Sequence, residues 1–166
     1  MGPGSTGRHI AWTITCSALL LLFAPSASAQ TVNISGLSDV TLPALRPSLE
    51  VRNAQSICAY SDALGNGYMI SAQGSGSGGA FVLTATGGAD LPFGVEWSDQ
   101  PGDSTGTALS PGLALSFQSS GATDQTCSSG PAETASLIVT IASQDLYAAS
   151  AGVSYSGTLS LTIAPQ

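Results

Sequence analysis

The 166 residues contain no lysine and a single histidine, His9, and only three arginines, Arg8, Arg46 and Arg52. Without clustered Lys or Arg there is no counterion release at a phosphate backbone and no clamp for anionic headgroups, so nucleic acid and anionic lipid are excluded as partners. Long apolar runs are also missing. The longest, CSALLLLFA at 16–24, is too short for a span that needs about 20 residues. With Arg8 and His9 before it and Ala27-Ser28-Ala29 after it, this run reads as an export signal over residues 1–29. The expected mature chain, 30–166, is one exported domain of 137 residues with no transmembrane segment.

Removing that segment takes away His9, Cys16 and Arg8, leaving two cations against ten carboxylates, a net charge of −8. Cys58 and Cys127 remain, and an even count in an exported chain is most simply a disulfide. A loop of 68 residues between them makes such a bond worth roughly 4 kcal/mol in the chain-entropy picture. Two buried free thiols are the alternative. A redox role is disfavoured by the lack of a CxxC motif and of any cation to lower a thiol pKa.

Period-two alternation recurs along the mature chain. The segments are TVNIS (31–35), DVTL (39–42), SICAY (56–60), GYMISAQ (67–73), AFVLTAT (80–86), LPFGVEW (91–97), GLALSF (112–117), ASLIVTI (135–141) and the closing VSYSGTLSLTI (153–163). The closing strand carries Val153, Tyr155, Leu159, Leu161 and Ile163 on one face and Ser/Thr on the other. Turn chemistry separates the strands, with Asn66-Gly67 placed as a hairpin, then GSGSGG (74–79) and TGGAD (86–90). No amphipathic helix stands out. About nine short strands predict an all-β, antiparallel immunoglobulin-like sandwich, with a barrel as the alternative.

Catalytic readings fare poorly. A serine nucleophile in GSGSGG would have no histidine or lysine beside it, and a phosphate loop there would lack its lysine. Zinc would need the two cysteines reduced. Calcium could use Asp99 and Asp103 in WSDQPGDSTG, though a carboxylate-bearing turn explains them equally. Glu96 and Asp99 are the nearest acid pair for glycoside hydrolysis, and Glu96 falls on the outward side of its strand. The expectation is a non-enzyme with no metal or other cofactor. Eight aromatic residues, including Phe117 and Tyr147, could form a sugar platform, but most fall on apolar rows where packing is their expected use.

In order, TVNISGLSDV, SICAYSD with Cys58, GSGSGGAFVLTA, LPFGVEWSD, DQTCSSGP with Cys127, SLIVTI and AGVSYSGTLSLTIAP resemble the spore coat protein U-like domain, which is related to subunits of archaic chaperone-usher pili. The resemblance covers nearly all of the mature chain and rests on strand patterns and one cysteine pair. It implies an immunoglobulin-like fold with an incomplete strand set, completed in the periplasm by a chaperone and in the fibre by a neighbour's N-terminal segment. Residues 30–42 are then the candidate donor strand, through Val32, Ile34, Val40 and Leu42. The closing strand, through Val153, Tyr155, Leu159, Leu161 and Ile163, is the candidate acceptor edge. The ending Ala164-Pro165-Gln166 departs from the penultimate aromatic residue of classical pilins. The function expected is an adhesive or structural subunit of a pilus or surface fibre, exported to the periplasm, outer surface or extracellular fibre. Its partners would be other subunits, a chaperone and an usher. A monomeric secreted module binding carbohydrate or envelope polymer is the alternative, with TVNIS as an ordinary first strand of a complete sandwich.

Overall fold

A computed structural model describes residues 29–42 and 47–166. The expected export signal lies outside them except for Ala29. Among the described residues, no helix is long and apolar enough to cross a membrane.

Among the described residues, ten strands and one short α-helix follow in order, besides two 3-10 turns at Leu64–Asn66 and Ser77–Gly79: β1 (Val32–Ser35), β2 (Val51–Ser61), β3 (Gly67–Gly74), β4 (Val82–Leu83), β5 (Leu91–Pro92), β6 (Gly94–Ser98), β7 (Thr107–Ala108), β8 (Leu115–Ser119), β9 (Ala135–Ile141), α1 (Ser143–Ala148) and β10 (Leu159–Pro165). They form an all-β, antiparallel sandwich. One sheet has the order β1-β2-β9-β6-β7, the second β10-β3-β8, and β4-β5 makes a small third ladder. The long β2 pairs with β9 from Val51 to Ile57 and with β1 from Cys58 to Ser61.

Both faces of β9 are covered, and this explains its continuous apolar run ASLIVTI, of which only Thr140 escapes full burial. Leu137 enters the main core. On the opposite face, Ser136 is buried under the loop after β6, where its hydroxyl donates to Gln100 O at 2.8 Å and accepts Asp103 N–H at 3.1 Å. Arg52 fastens the same loop, donating to Ser104 O and to Glu96 at 3.0 Å each.

The two sheets meet at Tyr68 of β3 and Trp97 of β6, both at most 1% exposed. Their rings pack edge to face with centroids 6.2 Å apart, and Trp97 Nε1 donates to the Tyr68 hydroxyl at 3.1 Å. Each buried polar tip is thereby satisfied by the other, as apolar surroundings require. Ile57, Ile70, Val95 and Leu137 complete this core.

Several sequence expectations are corrected. Asp39–Leu42 forms no strand. The closing strand begins at Leu159, so Val153 and Tyr155 lie before it. The cause is Gly157, where an added Cβ would meet Val82 O at 2.8 Å. The chain passes so close to β4 there that Ser156 pairs with Thr84, and only afterwards turns to pair with β3. Phe93 similarly splits LPFGVEW, with β5 on β4 and β6 on β9. Asn66-Gly67 joins strands of different sheets and is a corner, not a hairpin. The helix α1, which the sequence reading passed over, buries only Leu146.

Burial pushes the Tyr68 phenol up to about 12. The fold thus favours the neutral ring, and this contribution is complete below the ordinary phenol value of about 10 and is lost as pH rises from there through about 12. Tyr68→Phe strands the indole N–H, and we expect a loss of about 1–3 kcal/mol at neutral pH with a flatter alkaline limb. Urea melts from pH 7 to 12 check both, and an unchanged midpoint at pH 7 contradicts the pairing.

Candidate functional site, an unpaired strand edge over an apolar groove

Strand β10 pairs with β3 along one edge, from Leu159 opposite Gly74 to Pro165 opposite Tyr68. No strand pairs with its other edge among the described residues. The register tells which backbone groups face that edge. Gln166 N–H donates to Gly67 O at 3.2 Å, so residues 160, 162 and 164 share its parity and exchange bonds with β3. Leu159, Leu161 and Ile163 therefore direct their N–H and C=O groups away from β3. Pro165 has the same parity, where a missing N–H costs the ladder nothing. The side chains of Leu159, Leu161 and Ile163 meanwhile turn inward and pack half-buried against the main core.

The opposing wall has the same construction. Asp62 N–H donates to Thr31 O at 3.1 Å, which puts Val32 and Ile34 on the outward-bonding parity of β1 while their side chains also pack on the core. Beyond β1, the non-strand residues Leu37 to Leu42 continue the wall. Between this wall and the 153–161 segment lies a groove of about 810 Å³, floored by Leu83, Phe93, Leu137 and Val139. Val40, Leu42, Val153, Tyr155, Leu159 and Leu161 all line it.

The candidate donor and acceptor residues thus stand on two sides of one seam. Val32 and Ile34 pair within their own chain, with β2, and Ile163 packs on the core. Tyr155 is fixed where its hydroxyl accepts Ser150 N–H at 2.8 Å. The four floor residues were overlooked from the sequence. They sit on apolar rows like any core residue, and only the third dimension shows that they line the groove.

Cys58 and Cys127 form a disulfide with Cα atoms 5.9 Å apart, tying β2 to the loop before β9. Cys127 has a φ of 53°, an uncommon left-handed conformation for a residue with a side chain. Asp124 supports it. Its carboxylate accepts the N–H groups of Thr126, Ser128 and Ser129 at 2.9, 3.1 and 2.7 Å, wrapping the loop around Cys127. Glu96, Asp99 and Asp103 are divided among separate partners: Glu96 to Arg52 and Gly106 N–H, Asp99 to Ser119, and Asp103 to Ser98. Among the described residues, no three Asp, Glu, His or Cys side chains gather around a common point.

No protein family model matches the chain, and no curated protein does. Among solved structures it is similar to a chain described in the words "Chaperone-tip adhesin complex is vital for synergistic activation of CFA/I fimbriae biogenesis", with 18% identity and a TM-score of 0.47. The similarity covers 82% of this chain and 41% of that one, so this chain spans about two fifths of its neighbour's length.

The Ser129 hydroxyl first, then the three backbone N–H groups, hold the Asp124 carboxyl far below the usual carboxylate range. A depressed folded-state pKa contributes stability that is present above the unfolded value of about 4 and is lost as pH falls below it. Asp124→Asn should flatten the acid limb of stability below pH ~4. Thermal melts from pH 7 to 2 check this, and identical acid limbs for wild type and variant contradict it.

Proposed function

We propose that this chain is a non-enzymatic subunit of a pilus or surface fibre, exported and assembled by strand complementation. The observation that carries the reading is the outward row of backbone groups on β10 beside an apolar groove. Unpaired N–H and C=O groups along an edge are a template for another strand, and the half-buried Leu159, Leu161 and Ile163 leave apolar contacts for that strand's alternate side chains. Backbone pairing supplies affinity and register, and the groove floor selects apolar residues at every second position.

Residues 30–42 of a neighbouring copy are the proposed donor, offering Val32, Ile34, Val40 and Leu42. In its own chain this segment is held by a ladder of four residue pairs, Val32–Ser61 to Ser35–Cys58, by the packing of Val32 and Ile34 on the core, and by hydrogen bonds from Asn33 to Gln125 O and between Ser38 and Gln55. Gly36 follows at a φ of 81°, a conformation suited to a hinge at the end of the ladder. Donation therefore asks for release of one short strand and not for unfolding of the sandwich. A periplasmic chaperone and an usher are the proposed handlers of the open edge before assembly.

Parity allows a pointed test. Leu161→Ala and Leu161→Pro both remove the side chain, but only proline removes the outward N–H, and neither touches the ladder to β3. Both variants are expected to fold. A fluorescent peptide of residues 30–42 should bind wild type and Leu161→Ala in anisotropy titrations, while Leu161→Pro weakens binding by roughly tenfold or more relative to Leu161→Ala, about 1.4 kcal/mol. No binding to wild type, or equal binding to the two variants, overturns the strand reading.

A further inference from the structure

The outer face of the β10-β3-β8 sheet differs in chemistry from the rest of the molecule. The strands β3, β8 and β10 supply eight, five and seven residues, and none of them is charged, in a mature chain of net charge −8. Their inward row is Tyr68, Ile70 and Ala72, all at most 1% exposed. The outward row consists of Ser71 opposite Thr162 and Gln73 opposite Ser160, with Met69 opposite Ala164. It is a row of neutral hydroxyl and amide groups with an apolar pair, Met69 and Ala164, at one end.

Phe117 stands at the border of this face, 89% exposed. It belongs to a bulge: Gln118 lies opposite Tyr68 and Leu115 opposite Ile70, so Ser116 and Phe117 are the residues that interrupt the inward alternation. Phe117 also has a φ of 63°, an outlier for a bulky side chain, and its N–H is held by Gln166 Oε1 at 2.6 Å. Such strain costs of order 1–3 kcal/mol and is characteristic of functional positions. Here it coincides with a large aromatic ring held out in solvent.

We infer that this face is a binding surface for an uncharged glycan, with the Phe117 ring as the stacking platform and Ser71, Gln73, Ser160 and Thr162 as hydrogen-bonding partners for sugar hydroxyls. An aromatic ring at one end of a row of neutral donors and acceptors, with Met69 and Ala164 between, matches a glycan chain, whose pyranose units present C–H groups on their faces and hydroxyls on their rims. These strands carry no charged side chain, and the carboxylate hydrogen-bonded to them, Asp99, meets Ser119 Oγ at 3.2 Å at the end of β8, so the Ser71, Gln73, Ser160 and Thr162 row is spared the desolvation cost that a carboxylate within it would impose on a neutral ligand. The surface lies on β10 and β8 but uses the outward side chains and not the open edge, so it is independent of strand complementation.

The test is native electrophoresis of the 30–166 protein through gels containing amylose, a β-glucan, a mannan or a galactan, with light scattering and a thermal melt of each variant. Wild type should be retarded by at least one of these polymers, to an extent that added NaCl does not change. Phe117→Gly, which relieves the left-handed strain, should keep or raise the melting temperature yet weaken retardation by about tenfold or more. Thr162→Glu should weaken it as well. The proposal is overturned if no polymer retards wild type, if retardation fades with salt, or if Phe117→Gly is retarded as strongly as wild type. A Phe117-dependent dimer in light scattering overturns it too, by making the face a protein interface.

Discussion

Every buried backbone N–H and C=O must find a partner, and at β10 this requirement is met on one side only. Leu159, Leu161 and Ile163 satisfy the core with their side chains and leave their main-chain groups facing the seam. Val32 and Ile34 do the same from the facing strand. The seam does not close on itself among the described residues: β1 and β10 are edge strands of different sheets, each paired on one side only. Solvent satisfies such edges in a single copy, whereas an added strand satisfies them and covers the apolar floor at once. The proposed assembly follows from that asymmetry.

An open seam is tolerable only in a sandwich that is held firmly elsewhere. Tyr68 and Trp97 lock the two sheets together through a ring contact and a buried hydrogen bond. The Cys58–Cys127 bond and the Asp124-wrapped loop brace the region where β2 gives way to β1. Arg52, Glu96 and Ser136 pin the loop that roofs the outer side of β9. None of these fastening residues lines the groove, so a strand can enter it without undoing them. Charge is partitioned in the same way: both ion pairs of Arg52 lie on the larger sheet's side, and the strands of the smaller sheet are neutral.

Much of this was legible in the sequence. Alternation located ASLIVTI exactly as β9 and GYMISAQ within β3, because side-chain period and burial coincide there. It failed where a strand changes partners. From Val153 to Ile163 the pattern is unbroken, yet Gly157 moves the chain from β4 to β3, and period two carries no information about which neighbour supplies the hydrogen bonds. Leu83, Phe93, Leu137 and Val139 were readable as apolar but not as the floor of a groove. Phe117 was readable as one of eight aromatic residues on alternating segments, and nothing in GLALSF announces the bulge in which it lies. The disulfide was accessible by counting cysteines and inferring the compartment.

Residue-resolved amide hydrogen exchange on the monomeric 30–166 protein addresses the open edge directly. Along β10, the amides of Ser160, Thr162 and Ala164 should be protected by β3, while those of Leu159, Leu161 and Ile163 should exchange at nearly the rate of open chain, a strict alternation along one strand. Protection of Leu161 and Ile163 equal to that of their even-numbered neighbours would mean that the monomer already pairs this edge, and the groove would then have no strand to receive.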